Sequence, residues 1–200
     1  YNGGKARTPE IDRLAEEGMT FTDVHTTSSI CTPSRYGLLT GRYSWRSRLQ
    51  SGVFLDPLEE PLIKKDEETV ATMLRDSGYS TACIGKWHLG SGSDESTNAS
   101  APLPTAYGID ASCTFNSNDA CQADGGTFNT SVDIVSRSEA FIRGAKARGA
   151  PFYLNLWLHV SHDRLDPTQE MKEASPVNCR QKNFATNQTV CPRNVFTAAQ

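Results

Sequence analysis

Three times along this 200-residue chain a stretch with apolar residues at helical spacing stops at a glycine and gives way to a short β-prone run. Strands joined in parallel need a crossover long enough to hold a helix, so repeated helix-then-strand units point to an α/β architecture. In the first unit Thr8 and Pro9 offer a cap and a first-turn proline, Ile11, Leu14 and Ala15 recur at helical spacing, and Gly18 supplies the stop. This predicts a helix over 9–17, and the alternation in "MTFTDVHT" predicts a strand over 19–26 that delivers the chain to Cys31. In the second unit Val70, Met73 and Leu74 predict a helix over 68–76, Gly78 ends it, and "YSTACIG" predicts a strand running into "KWHLG". In the third, Val132, Ile134, Val135, Phe141 and Ile142 predict a helix over 131–148, broken by Gly149 and Pro151. The run that follows, "FYLNLWLHV" at 152–160, predicts a buried strand ending at "SHD" and is too short to span a bilayer. Residues 91–130, rich in Gly, Ser, Asn and Asp without periodicity, read as long loops.

Twenty Lys and Arg against 23 Asp and Glu, a net charge of −3 and no basic cluster exclude a nucleic-acid backbone as partner. An anionic ligand would have to be held locally. The chain opens at Tyr1 without the pattern of a signal peptide and stops at Gln200 inside a polar segment, so 1–200 is expected to be one partial domain cut at both ends. Cys113, Cys121, Cys179 and Cys191 sit in polar, loop-like sequence and allow three disulfide pairings, whereas Cys31 and Cys83 have different surroundings. Acceptor sequons for N-glycosylation stand at Asn98, Asn129 and Asn187. Together these favour an oxidising compartment: the secretory pathway, a lysosome, the extracellular space or a periplasm. Oligomeric state has no signal in the sequence.

The units deliver polar groups at comparable places. Cys31 lies beside Arg35 in "SSICTPSRYGLLTG", where Pro33 suits a first helical turn and Gly41 a C-terminal cap, leaving the cysteine near the positive end of a short helix. Lys86 and His88 follow the second strand, and His159 and His162 follow the third. Singly, each is as well read as an ordinary residue: a buried thiol, a solvated arginine, a strand end whose Trp87 packs in the core. Jointly, a cysteine-derived nucleophile, two cations and two imidazoles are what transfer of a dianionic group to an activated side chain requires. A zinc site is disfavoured by the absence of C-x-x-C and of paired histidines at i, i+4, and by the lysine beside His88. A cysteine hydrolase would leave Arg35 and Lys86 without a role.

These residues resemble a known family. "CTPSRYGLLTG" is similar to the first signature of the type I sulfatases, Cys-x-Pro-Ser-Arg followed by Leu-Thr-Gly, and "GYSTACIGKWHLG" at 78–90 is similar to their second. Four fixed positions would coincide by chance in roughly one chain of this length in a thousand. "TPEIDRLAEEGMTF" and "PFYLNLWLHVSH" also resemble family segments, so the likeness covers 1–90 and 131–165 and is thin elsewhere.

The resemblance implies an alkaline-phosphatase-like α/β fold with a mixed sheet flanked by helices, and hydrolysis of a sulfate monoester of an aryl, sugar or sterol alcohol. It implies that a formylglycine-generating enzyme converts Cys31 to formylglycine (3-oxoalanine), the cofactor whose hydrate attacks sulfur. Arg35 would steady the diol, Lys86 would contact sulfate and formylglycine, His88 would take the proton of the diol hydroxyl, and His162 would serve the sulfate and the leaving oxygen. His159 is kept only as a supporting residue. At Asp163 and Arg164 the chain departs from its relatives, which often have a small residue or proline there. One Ca2+ is implied, with Mg2+ as the alternative, bound by the oxygen of modified Cys31 and by carboxylates outside the chain, so residues 1–200 alone are expected to be inactive and poorly stable. A phosphonate or phosphate ester hydrolase of the same superfamily and a catalytically dead homologue acting as a binding module are the alternatives.

Overall fold

The computed structural model describes residues 7–53, 61–90, 102–115 and 131–158, together with the backbone of 121–123, 126–128, 181–182 and 189–190. In chain order the elements are α1 (Pro9–Glu17), α2 (Cys31–Thr40), α3 (Val70–Asp76), β1 (Ser80–Lys86), β2 (Ala111–Phe115), β3 (Cys121–Ala123), β4 (Gly126–Phe128), α4 (Ser131–Ala147), β5 (Phe152–Trp157), β6 (Gln181–Lys182) and β7 (Thr189–Val190). They divide into two compact units, Tyr1–Val24 with His159–Gln200, and His25–Leu158.

In the larger unit β1 lies between β2 and β5, parallel to both, and the register sets Lys86 opposite Phe115 and Gly85 opposite Trp157. A parallel strand in the middle of a sheet is covered on both faces, which is why all but the first residue of β1 are buried. The pleat divides its side chains. Cys83 and Trp87 join Tyr36 and Leu39 of α2, Ala71 of α3 and Tyr107 in one core, with Tyr153 and Trp157 of β5 packed against it. Ile84 joins Cys113, Phe115 and Ile134 of α4 in the other. Trp87, fully buried, stacks on Tyr107 at 5.9 Å and on Trp157 at 6.0 Å between centroids.

Thr69 caps α3 by accepting from the Thr72 N–H at 3.1 Å, and its own hydroxyl donates to the Tyr107 carbonyl at 2.8 Å. Thr81 donates to the Gly108 carbonyl and accepts from the Asp110 N–H, which ties the entry of β2 to β1. At Gly108, φ is +81°, and a Cβ there would strike the Thr72 backbone, so both the turn and the close approach demand glycine.

Three expectations change. Residues 91–130 are not all loop: β2 is a core strand, β3 and β4 form an antiparallel pair, and Cys113 is a buried, disulfide-bonded residue of β2. The strand over 19–26 does not form. Met19, Phe21 and Val24 stay exposed, and no described strand offers that segment the ladder that would satisfy its backbone. The third strand is real but shorter, Phe152–Trp157, and β5 is an edge among the described strands, with Phe152 43% and Leu156 41% exposed.

In the smaller unit α1 occupies the predicted residues, with proline in its first turn and Glu10 and Asp12 favouring its positive end. Thr8 stands at the cap position, but its hydroxyl bonds the Asp12 carboxylate at 3.1 Å instead of a backbone N–H. β6 and β7 form a short antiparallel pair. Asn98, Asn129, Asn187, Cys179, Cys191, His159 and His162 lie outside the described residues, as does the side chain of Cys121.

Candidate active site

The extended backbone of Ile30 turns directly into α2, which makes Cys31 the first helical residue and sets it at the positive end of the helix dipole. Gly41 closes the helix in the left-handed region, φ +67°, its N–H bonded to the Gly37 carbonyl. The segment before α2 folds back over it: Thr27 donates to the Pro33 carbonyl at 3.2 Å, and Ser34 donates to the carbonyls of Ser28 and Ile30, both at 2.7 Å. A side chain at Gly37 would collide with Thr27, so this fold-back requires glycine there. Cys31 itself is half-buried and has a free thiol.

Two side chains of α2 grip the backbone at the end of β1 and just after it. Arg35 Nη1 donates to the Lys86 carbonyl at 2.5 Å, and Thr32 Oγ1 donates to the His88 carbonyl at 3.0 Å. Thr32 is fully buried. His88 has φ +55°, a left-handed conformation unusual for a residue with a side chain, and the Thr32 bond fixes the peptide that follows it. Just before, Gly85 has φ +112° and passes so close to β5 that a Cβ would run into the Trp157 carbonyl. β1 therefore ends in a sharply shaped segment, "GKWH", which aims three unlike side chains from adjacent positions.

Lys86 is 4% exposed. Burial lowers its pKa from the ordinary 10.5, the charge of a Cys31 thiolate opposes that, and the Arg35 cation adds to it. Burial likewise lowers Arg35, while Cys83 and Cys31 pull it upward. The two cations thus lie within electrostatic reach of each other and of Cys31. No carboxylate among the described residues forms an ion pair with either. The Arg35 guanidinium lies over the Trp157 ring with Cζ 4.6 Å from its centroid, and its Nε is buried without a hydrogen-bond partner among the described residues. In the core behind, burial pushes the Cys83 thiol up to about 12, which makes it an inert structural residue.

The structure thus brings together Cys31, Arg35, Lys86 and, through its backbone, His88. Two participants were not singled out in the sequence. Thr32 fills the variable place in Cys-x-Pro-Ser-Arg, and Trp157 reads there only as part of a strand. The cluster lies at the carboxyl end of β1. From β1 the chain goes to β2 on one side and later to β5 on the other, so this is a point where strand order reverses, the usual place for ligands in open α/β sheets.

The described residues by themselves do not make a divalent-cation site. Among the described residues no group of three or more His, Cys, Asp and Glu could hold a metal ion, and the neighbours of Cys31 are cations rather than carboxylates. This donor set suits an anion. No described helix is long and apolar enough to cross a membrane.

The family model described as Sulfatase matches residues 1–194. An N-acetylgalactosamine-6-O-sulfatase of Bacteroides thetaiotaomicron is 43% identical over 111 residues, covering 54% of this chain and 21% of that protein. The solved structure of Ps i-CgsB in complex with k-i-k-neocarrahexaose is similar in fold with a TM-score of 0.73 at 21% identity, covering 99% of this chain and 48% of the other. A protein of the alkaline phosphatase superfamily from Vibrio parahaemolyticus shares the fold more distantly, at TM-score 0.50 and 16% identity over 96% of this chain and 42% of the other. The chain spans less than half the length of each of these three proteins. Two signature segments that converge on one cation cluster, an α/β fold of the alkaline-phosphatase type and a family match over nearly every residue lead to one conclusion: the chain belongs to the sulfatase family.

Proposed function

We propose that the whole protein hydrolyses a sulfate monoester and that the segment around Cys31 carries its nucleophile. The observation that supports this most is the pair Arg35 and Lys86, one over an indole and one 4% exposed, beside Cys31 and without a described carboxylate partner. Two uncompensated cations at a helix N-terminus favour a tetrahedral dianion.

In this reading a formylglycine-generating enzyme, an oxidase, converts the side chain of Cys31 to an aldehyde, which hydrates to a geminal diol. One diol hydroxyl gives up its proton as its oxygen attacks sulfur, the S–O bond to the alcohol breaks, and the leaving alkoxide takes up one proton in return. The remaining hydroxyl then loses its proton, the C–O bond to sulfate breaks, and the aldehyde re-forms. An ordinary serine sulfate lacks that second exit, which is the advantage of the modified side chain. Arg35 steadies the diol, Lys86 holds the sulfate, and His88 accepts the proton of the departing hydroxyl. His162 protonates the leaving alkoxide. Calcium is the proposed metal, on the family resemblance, with modified Cys31 as the one ligand assigned in this chain. The named relative makes a carbohydrate sulfate one class of substrate to try. A secretory or periplasmic location is proposed as well, supported by the disulfide at Cys113.

The test is mass spectrometry of the tryptic peptide Leu14–Arg35 from the whole protein, joined to parallel assays of nitrophenyl sulfate and nitrophenyl phosphonate. Exchange of CH2SH for CHO at Cys31 with faster sulfate turnover is expected. A faster phosphonate reaction would move the reading to the related ester hydrolases, and an intact thiol with no turnover would leave a binding module.

A further inference from the structure

We infer that Trp157 is a positioning residue for the reaction, acting through Arg35; this rests on the reading above. The guanidinium lies over its ring, with Cζ 4.6 Å from the centroid, and Arg35 Nη1 is at the same time bonded to the Lys86 carbonyl at 2.5 Å. The two contacts act on different parts of the group. The hydrogen bond holds one nitrogen and the ring holds the central carbon, so together they restrict where the guanidinium can sit. An arginine in open water would gain little from either contact, but here desolvation raises the value of both.

Trp157 is itself immobilised. It is the last residue of β5, it stacks on the fully buried Trp87 at 6.0 Å and 26°, and its carbonyl lies against Gly85, whose missing side chain lets the two strands approach. One contact comes from Gly85 of β1 and the other from Trp87 just after it, in the segment that carries Lys86 and leads to His88. A shift of the indole is therefore resisted from the same strand whose end forms the site. The ends of β1 and β5 flank the place where strand order reverses, so the ring borders the site and not merely the core. Tyr153 and Asn155, which share its face of β5, bond to each other at 3.0 Å and make no described hydrogen bond or ring contact with Arg35, which separates the role of Trp157 from that of its neighbours.

The experiment compares Trp157→Phe with Trp157→Leu in the whole protein, with conversion of Cys31 checked by mass in each. Both variants lose indole volume and contacts with Trp87, so both should melt at similarly reduced temperatures. Only Phe keeps a π face for Arg35. The expected result is that Trp157→Leu lowers kcat by about 5- to 30-fold with KM little changed, while Trp157→Phe stays within about 3-fold of the parent. Equal losses of kcat in the two variants, or none in either, would overturn the inference and leave the sulfatase reading intact. If the unsubstituted protein, fully converted at Cys31, turned over no sulfate ester, that reading would fall and this inference with it. Should the leucine variant not fold, Trp157→Met takes its place, with the same prediction.

Discussion

Lys86→Met should make the anion-free protein more stable while abolishing its activity. Lys86 is 4% exposed, and no described carboxylate offsets its charge. Burying an ammonium costs several kcal/mol after relaxation, whereas methionine keeps most of the apolar stem and drops the charge. With Cys31 converted no thiolate offsets that cost, and a net gain of about 1–3 kcal/mol is reasonable, which corresponds to a rise in Tm of roughly 2–12 °C. The pH dependence has a definite sign. Because burial lowers the folded pKa below 10.5, the folded protein releases this proton before the unfolded chain does. The destabilisation is therefore complete below the folded pKa and is relieved as pH climbs toward and past 10.5, so the advantage of the variant should shrink at alkaline pH. Differential scanning fluorimetry with and without inorganic sulfate tests both halves. Sulfate at a hundred times its dissociation constant should stabilise the parent by about 2.7 kcal/mol and leave the methionine variant unmoved. If the parent melted higher than the variant without sulfate and both responded equally to it, Lys86 would not be an uncompensated cation.

Thr32→Val preserves shape but removes the donor to the His88 carbonyl, so a loss of about 1–3 kcal/mol is expected from the stranded acceptor, read as a fall in Tm. Turnover should fall further than stability alone predicts, since His88 is released from its left-handed conformation; an unchanged kcat with a lowered Tm would limit Thr32 to a structural part. Gly85→Ala places a methyl against the Trp157 carbonyl at φ +112° and should cost more than about 2 kcal/mol, seen as lost soluble yield or a large drop in Tm. A near-neutral result would mean that β1 and β5 can separate there at little cost.

What could be read from the sequence follows the range of the interactions involved. α1, α3, α4 and β1 announce themselves because their periodicity, proline starts and glycine stops are local. "ASCTF" hides β2, since its alternation is carried by small residues with Phe115 as the one large apolar side chain, too weak a signal between turns, and the pairing with β1 is what makes it a strand. The segment 19–26 shows the reverse: alternation without a described partner to pair with. In the site, Cys31, Arg35, Lys86 and His88 stand out because their spacing matches two short signatures. The contact of Arg35 with Trp157 does not stand out, because it depends on the register that sets Gly85 opposite Trp157. No window of neighbouring residues contains that information.

The hydrogen bonds that hold α2 reach forward along the chain by 51 residues to the Lys86 carbonyl and by 56 to that of His88. During synthesis the first of these anchors emerges only after Cys31 has been outside for roughly 3 to 10 s, at about 5–20 residues per second. Throughout that interval the cysteine segment has no strand end to dock on. An enzyme that must take the segment in extended form would find its substrate in the nascent chain, and completion of β1 would close the access. For such an enzyme, the contacts that later orient the site would also set the time at which Cys31 stops being available.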